Sequence, residues 1–536
     1  MRRPFRLYGE RPSDRQEKMP PGGRAAYATT WVSPPCGDYP ALKRAVVTAE
    51  RDSQRFFRGG DNEMPTRPNI LWICTEHQRF DTIHSLGNEH IRTPNLDRLV
   101  AEGTAFTHAF CQNSVCTPSR SSFLTGRYPV TTRCRQNGQN LPDDEVLITR
   151  VLHDEGYDCG LAGKLHVSAA FHGSERRVDD GYRMFEWSHG STAAHGGDWV
   201  TWLGKNGKTF DDVYKRSPVI FAREVTERKY HQTTWCFDQA LSFLTEEREG
   251  PWLMSINPFS AHDPFDLLPE FYDNYDPDAL PPPLWRDGEL DAKPPFQRAA
   301  YEKRGGPKGY AGTTERQRCE MKAAYYATIE HIDAEIGRLL DWLDQTGQGE
   351  NTLIIFTADH GDMGGDHGIF QKGPYLYDPA VRVPLIFSWP GTIPAGRVYD
   401  GLVELVDIVP TIHELLGMDI PQRVQGRSLV SLFGEGIPEP AFRDGVYSEY
   451  YNANPAKTSP QRKRAYLTMW RTDSYKVVVY HGEEFGELYD LARDPNEFDN
   501  RWDDPEYRQI RADMLKACFD KAVFTMDPMP PRVSGF

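Results

Sequence analysis

The chain has 536 residues, of which 39% are hydrophobic and 26% charged, and its formal net charge is −15. That length suits one large domain with a smaller one. The composition excludes collagen, coiled coil and wholesale disorder, and the acidic balance excludes nonspecific binding to a phosphate backbone.

Residues 1–63 differ from the rest: 12 Lys+Arg against 8 Asp+Glu give +4, leaving −19 for residues 64–536. The stretch MRRPFRLYGERPSDRQEKMPPGG is basic but has no apolar core, so it does not read as a secretory signal. A cytoplasmic protein is expected, with no membrane partner, because no apolar run is long enough to span a bilayer. Either Met64 is the natural start, or residues 1–63 are a mobile extension, or a short helix near Ala41–Arg55 packs on the surface. The nine cysteines lack the spacing of a disulfide framework and read as small buried hydrophobes.

From Met64 the pattern is α/β. Continuous apolar runs at Ile70–Cys74, Leu253–Ile256, Leu353–Phe356 and Leu385–Phe387 predict parallel strands covered on both faces by helices. A helix is predicted over about Arg318–Gln345. Its apolar positions step by threes and fours, and Gly347 is placed for a C-cap. Residues 170–320 read as insertions over the sheet edge. After about Gln422, SYKVVVYHG and ELYDL predict an antiparallel sheet, and a final helix is predicted over about Pro505–Ala522. The expected units are thus an extension (1–63), a large domain (64–421) with sites at the carboxyl ends of its strands, and a smaller domain (422–536).

Five short strings carry chemistry. CTPSR at Cys116–Arg120, continued by SSFLTGRYP, predicts a helix starting just after Cys116. Its free N–H groups would suit a sulfate or phosphate oxyanion, with Arg120 one turn along. TADHG at Thr357–Gly361 follows a strand, so Asp359 and His360 can both reach one cation, although an Asp there can also cap the next helix. TEH at Thr75–His77 follows another strand and offers Glu76 and His77. GKLH at Gly163–His166 sets Lys164 and His166 two residues apart, on one side of an extended strand end. SAHDPF at Ser260–Phe265 contributes His262. His172, His189 and His195 could line a pocket, but such loop histidines more often face solvent.

Taken in this order, over about residues 66–520, the strings resemble the type I sulfatases. The C-x-P-x-R string with its downstream L-T-G resembles their signature, and GDMGGDHGIFQKGPYLYDPAVRVPL resembles their segment that carries the sulfate-contacting lysine, here Lys372. RTPNLDRLVAEGTAF at Arg92–Phe106 is also similar to family members and reads as a structural helix and turn. The resemblance implies the alkaline phosphatase-like α/β sandwich with a large mostly parallel sheet and a smaller C-terminal α/β domain. It implies that Cys116 is oxidised to formylglycine by a formylglycine-generating enzyme. It further implies one divalent cation at Glu76, His77, Cys116, Asp359 and His360, and catalytic roles for Cys116, Arg120, Lys164, His166, His262 and Lys372. Hydrated formylglycine would attack sulfur in line, with the cation, Lys164 and Lys372 stabilising the sulfuryl oxygens. His262 or Lys372 would assist the leaving alcohol, and His166 would take the proton whose loss expels sulfate. Asp366 and His367 are read as bracing the loop.

The family usually has two acidic residues, or Asp then Gln or Asn, where this chain has Glu76 and His77. Glu reaches one methylene farther, and imidazole replaces a hard oxygen ligand. Oxygen-rich sites suit Ca²⁺ or Mg²⁺, whereas an added imidazole shifts preference toward Mn²⁺ or Zn²⁺, so Ca²⁺ is only the leading candidate among these four, and His77 is either a ligand or a residue that orients the ligands. A small sulfate ester is the expected substrate. The sister phosphonate monoester hydrolases typically lack the Lys and His matched here by Lys164 and His166. They remain the main alternative, ahead of a noncatalytic binding protein or a hydrolase using an unmodified thiolate.

Overall fold

The computed structural model describes residues 67–171, 174–303, 309–434, 441–453 and 464–527. The extension expected over residues 1–63, the alternative helix within it, and His172 lie outside the described residues.

The apolar runs form the core of an eight-stranded sheet. Its strands are β1 (Asn69–Thr75), β2 (Thr104–Phe110), β3 (Asp158–Gly163), β4 (Met184–Trp187), β5 (Trp252–Asn257), β6 (Thr352–Ala358), β7 (Arg382–Ser388) and β8 (Arg397–Glu404). They lie in the order β8-β2-β7-β6-β1-β5-β3-β4. Successive residues of β1 enter different cores: Ile70 and Trp72 pack on one face, Leu71 and Ile73 on the other. This explains why the strand is apolar throughout rather than alternating.

Helices cover both faces. On one side lie α1 (Pro94–Glu102), α3 (Gln232–Leu244) and the long α4 (Glu315–Thr346), which contribute Leu96, Leu99, Trp235, Phe243, Ile332 and Ile336. On the other lie α2 (Cys116–Thr125) and α5 (Ile408–Leu415), through Phe123, Ile408 and Ile412. The α4 helix ends at Gly347 with φ 68°, the left-handed C-cap that its sequence predicts.

Seven of the eight strands run in one direction, and β7 opposes both neighbours, β6 and β2. The sequence expectation that Leu385–Phe387 belongs to a parallel strand is corrected here. A parallel return needs a crossover along the sheet face. Residues 359–381 instead contain one four-residue helix and one short 3₁₀ turn, so the chain re-enters the sheet from the edge it has just left.

The C-terminal strands β9 (Val446–Tyr451), β10 (Tyr466–Arg471), β11 (Tyr475–Tyr480) and β12 (Gly486–Asp490) form an antiparallel sheet in sequence order, followed by α6 (Arg508–Phe524). Val446 and Tyr450 of β9 and Leu467 and Met469 of β10 join the core beneath α2 and α5. No helix among the described residues is long and apolar enough to cross a membrane.

The N-terminus of α1 is capped from outside. Thr93, the N-cap of α1, makes no side-chain cap. Asp333 on α4 supplies it, accepting from the Leu96 amide at 2.7 Å and the Asn95 amide at 3.1 Å. This carboxylate satisfies donors that helix geometry leaves unpaired. Asp333→Ala is expected to cost about 1–3 kcal/mol, the range for stranding buried donors. The measurement is a urea titration, in which the midpoint falls at unchanged slope.

Candidate active site

Four strands deliver the candidate residues from their carboxyl ends. Strands β1 and β6 pair in parallel, with Thr75 opposite Ala358, so the residues that follow them, Glu76 and Asp359, lie together. Glu76 and Asp359 are both fully buried. Lys164 and His166 follow β3, and His262 follows β5. Cys116 opens α2, every residue of which is buried. The residue before it, Val115, gives no side-chain cap. Asn137 does so instead, its Oδ1 accepting from the Thr117 amide at 3.0 Å.

Cys116 Sγ is the meeting point. It lies 3.0 Å from Glu76 Oε1, 3.3 Å from His360 Nε2 and 2.8 Å from Lys372 Nζ. Burial disfavours its thiolate, but Lys164 and Lys372 outweigh that effect and hold the thiol below its ordinary pKa. Burial and the neighbouring Cys116 push the Glu76 carboxyl up to about 7, against the pull of Lys164 at 2.5 Å. Lys372 is held above its usual value despite burial, chiefly by Cys116 and Glu76.

Asp359 has a different environment. Arg120 Nε donates to its Oδ2 at 2.9 Å, while the His360 and His77 amides donate to Oδ1 at 2.9 and 3.3 Å. Against the raising effect of burial, His360 and the Arg120 guanidinium hold this carboxyl below the usual range. Arg120 Nη1 also donates to the Lys164 carbonyl at 2.9 Å. The arginine thus binds the end of β3 to the end of β6, and its hydrogen bonds run to Asp359 and Lys164 rather than to Cys116.

The expectation of an extended strand end at Lys164–His166 is corrected. Strand β3 stops at Gly163, φ 110°, and His166 takes a left-handed φ of 55°. Glu175, which sequence reasoning did not single out, holds this turn: it accepts from the amides of His166, Val167 and Ser168 at 2.8–2.9 Å. His166 Nε2 then lies 3.0 Å from Thr117 Oγ1, one residue from Cys116. Burial, aided by His189, depresses the His166 pKa well below its ordinary value. His189 was expected to face solvent, but its ring is partly buried with its centroid 4.2 Å from that of His166. His195 is exposed.

His77 is left-handed, φ 60°. Its Nδ1 lies 2.8 Å from Asp362 Oδ2, its Nε2 accepts from Lys372, and its carbonyl accepts from Tyr325 of α4 at 2.7 Å. Asp362 and Tyr325 were also missed in the sequence. Asp362 stands two residues after His360, a spacing that marks it as a candidate, whereas nothing local to Tyr325 marks it. The His262 ring lies 3.8 Å from that of His77, and its Nε2 is 4.0 Å from Glu76 Oε1. Asp366 pairs with Arg79 at 2.8 Å and His367 with Glu289 at 3.2 Å.

Glu76, His77, Cys116 and His360 offer ligand atoms that all lie within 4.8 Å of one another. Glu76 Oε2 is buried and has no hydrogen-bond partner among the described residues. A divalent cation fits that orphaned oxygen and this donor set. Asp359 borders the cluster, with Oδ1 3.7 Å from His360 Nε2.

The sulfatase family model matches residues 68–418, and the model for the C-terminal region of N-sulphoglucosamine sulphohydrolase matches residues 365–522. An arylsulfatase from Clostridium perfringens is 30% identical, over 84% of this chain and 93% of its own. PehA of Trinickia caryophylli, a multifunctional alkaline phosphatase superfamily protein, is 29% identical over 84% and 94%. The solved phosphonate monoester hydrolase of Agrobacterium radiobacter superposes with a TM-score of 0.76 at 25% identity, covering 87% of this chain and 97% of that one.

The donor cluster can be tested without turnover. A ligand that binds only the folded state at 100 times its Kd adds about 2.7 kcal/mol of stability. Titration of the metal-stripped protein with Ca²⁺, Mn²⁺ or Zn²⁺ is therefore expected to raise Tm by several degrees for at least one ion. Glu76→Ala should abolish the rise and Glu76→Asp should change which ion is preferred. An unchanged response in both variants would remove Glu76 from the site.

Proposed function

This chain belongs to the sulfatase family, and from that premise we propose that it hydrolyses a sulfate ester, R–O–SO₃, to an alcohol and sulfate with formylglycine at position 116 as nucleophile. The observation that carries the reading is the place of Cys116 Sγ: at the N-terminus of a buried helix, 2.8 Å from Lys372 Nζ and 3.0 Å from Glu76. The thiol stands in for the hydroxyl oxygens of hydrated formylglycine, which a formylglycine-generating enzyme would create from it.

When bound by Glu76, Asp359 and His360, with His77 as a further donor, a divalent cation supplies positive potential that acidifies the nucleophile and offsets charge on the sulfuryl oxygens. Two imidazoles in the set shift the preference from Ca²⁺ toward Mn²⁺ or Zn²⁺. Lys372 and Lys164 hold sulfuryl oxygens, and the positive end of the α2 dipole faces the same charge. Arg120 acts through Asp359, keeping it ionised and fixed. His262, only partly buried, is placed to donate to the oxygen of the departing alcohol. His166 is neutral because it is buried, which is the form able to accept the proton of the remaining hydroxyl as sulfate leaves.

One observation favours a second reading: the superposition on a phosphonate monoester hydrolase. Both tetrahedral esters suit a cation flanked by lysines, and the Lys164–His166 pair favours sulfate. The deciding measurement compares hydrolysis of a nitrophenyl sulfate with that of the matching phenylphosphonate monoester, using protein coexpressed with a formylglycine-generating enzyme. The sulfate is expected to dominate and Cys116→Ala to abolish turnover; dominance of the phosphonate would transfer the assignment. Lys164→Ala is expected to lower kcat/KM by about 100-fold or more, the scale for losing one transition-state donor. Unaltered kcat/KM would exclude the sulfate-clamp role.

A further inference from the structure

Behind His77 and His262 lies a cavity of about 60 Å³. It adjoins the centre at three points. Asp362 contacts His77 Nδ1 at 2.8 Å, Asp263 Oδ1 lies 3.4 Å from His262 Nδ1, and Gln371, which donates to Asp263 Oδ2, precedes Lys372. Four carboxylates, those of Asp81, Asp263, Asp362 and Asp366, face two basic groups, those of Arg79 and Lys322, so the wall carries two excess negative charges. Arg79 is already committed to Asp81 at 2.7 Å and Asp366 at 2.8 Å. Lys322 Nζ donates to the Pro281 carbonyl at 2.7 Å.

Much of the remaining wall is aromatic. Phe221 meets Phe370 with centroids 5.6 Å apart, and Phe265 meets Tyr325 at 5.7 Å. An anion entering this space would add like charge, and an apolar group would desolvate the carboxylates without compensation. A cation is stabilised by the carboxylates and by the ring faces together. Size narrows the choice further. A water needs about 10–15 Å³ of such space, so the enclosed part takes roughly four to six heavy atoms.

We propose that this cavity receives the ammonium end of the substrate's alcohol, so that the preferred substrates are sulfate esters of small amino alcohols. The proposal rests on the sulfatase reading and deepens it. His262 lies between the two regions, so the ester oxygen would sit at that histidine while a short carbon chain carries the ammonium group past it to Asp263.

Binding separates this idea from turnover. Calorimetric titration of the metal-loaded Cys116→Ala protein would compare 3-aminopropyl sulfate with butyl sulfate, which has the same number of heavy atoms. The ammonium ester is expected to bind at least tenfold more tightly, and Asp263→Asn to reduce that ratio to below threefold. Equal affinities, or no binding of 3-aminopropyl sulfate, would overturn the proposal. So would a second equivalent of divalent metal per chain that disappears in Asp263→Asn, because His77, His262 and Asp263 also group as potential metal ligands. Nitrophenyl sulfate turnover by the mature wild type, measured alongside, judges the sulfatase reading separately.

Discussion

Two carboxylates buried side by side set the terms for the rest of the molecule. Pairing of β1 with β6 brings Glu76 and Asp359 together at the sheet edge, where water cannot screen them. Leaving one partner of a buried ion pair unmatched costs about 3–5 kcal/mol, a large part of the 5–15 kcal/mol that holds a domain together. Each carboxylate is accordingly matched from a distant part of the chain. Arg120 comes from α2 to Asp359, Lys164 from the end of β3 to Glu76, and Lys372 from the loop after β6 to 3.7 Å from Glu76. The same charge demand that assembles the fold at this edge also gathers carboxylates, imidazoles and lysines around Cys116.

The unusual Glu76–His77 pair fits this frame. Imidazole at position 77 removes a negative charge from the cluster, and Asp362 restores one on the far side of the ring. A carboxylate behind a histidine fixes the ring's orientation and tautomer and makes its other nitrogen more basic. The charge is displaced by the width of a ring rather than lost. The longer reach of Glu76 lets one carboxylate contact Cys116, Lys164 and Lys372 at once.

Much of this was legible in the chain because it is encoded locally. Apolar runs marked the strands, the 3.6-residue period and Gly347 marked α4, and motif order placed Glu76, Cys116, Lys164, His262, Asp359 and Lys372 around one point. Three kinds of feature were not legible. The direction of β7 depends on where a 23-residue connection travels, which no residue within the strand records. Glu175 and Tyr325 reach across as many as 9 and 248 residues of sequence through hydrogen bonds to backbone groups, and such contacts leave no periodic trace. The left-handed turns at His77 and His166 contradict the local preference of those residues and exist because neighbouring elements hold them.

The burial of α2 has a consequence for timing. Cys116 is 2% exposed, and the helix it begins is enclosed along its whole length by the sheet, α5 and the C-terminal strands. A modifying enzyme cannot work on a side chain in that position. If residue 116 is oxidised, the reaction must finish while the segment is still extended, before β8, α5 and the C-terminal sheet have closed over it. Those elements are synthesised some 280 residues later, about 14–56 s at 5–20 residues per second. On that condition the late arrival of the C-terminal half holds open a window for chemistry on the N-terminal half, and chains that fold before the window is used would keep the thiol.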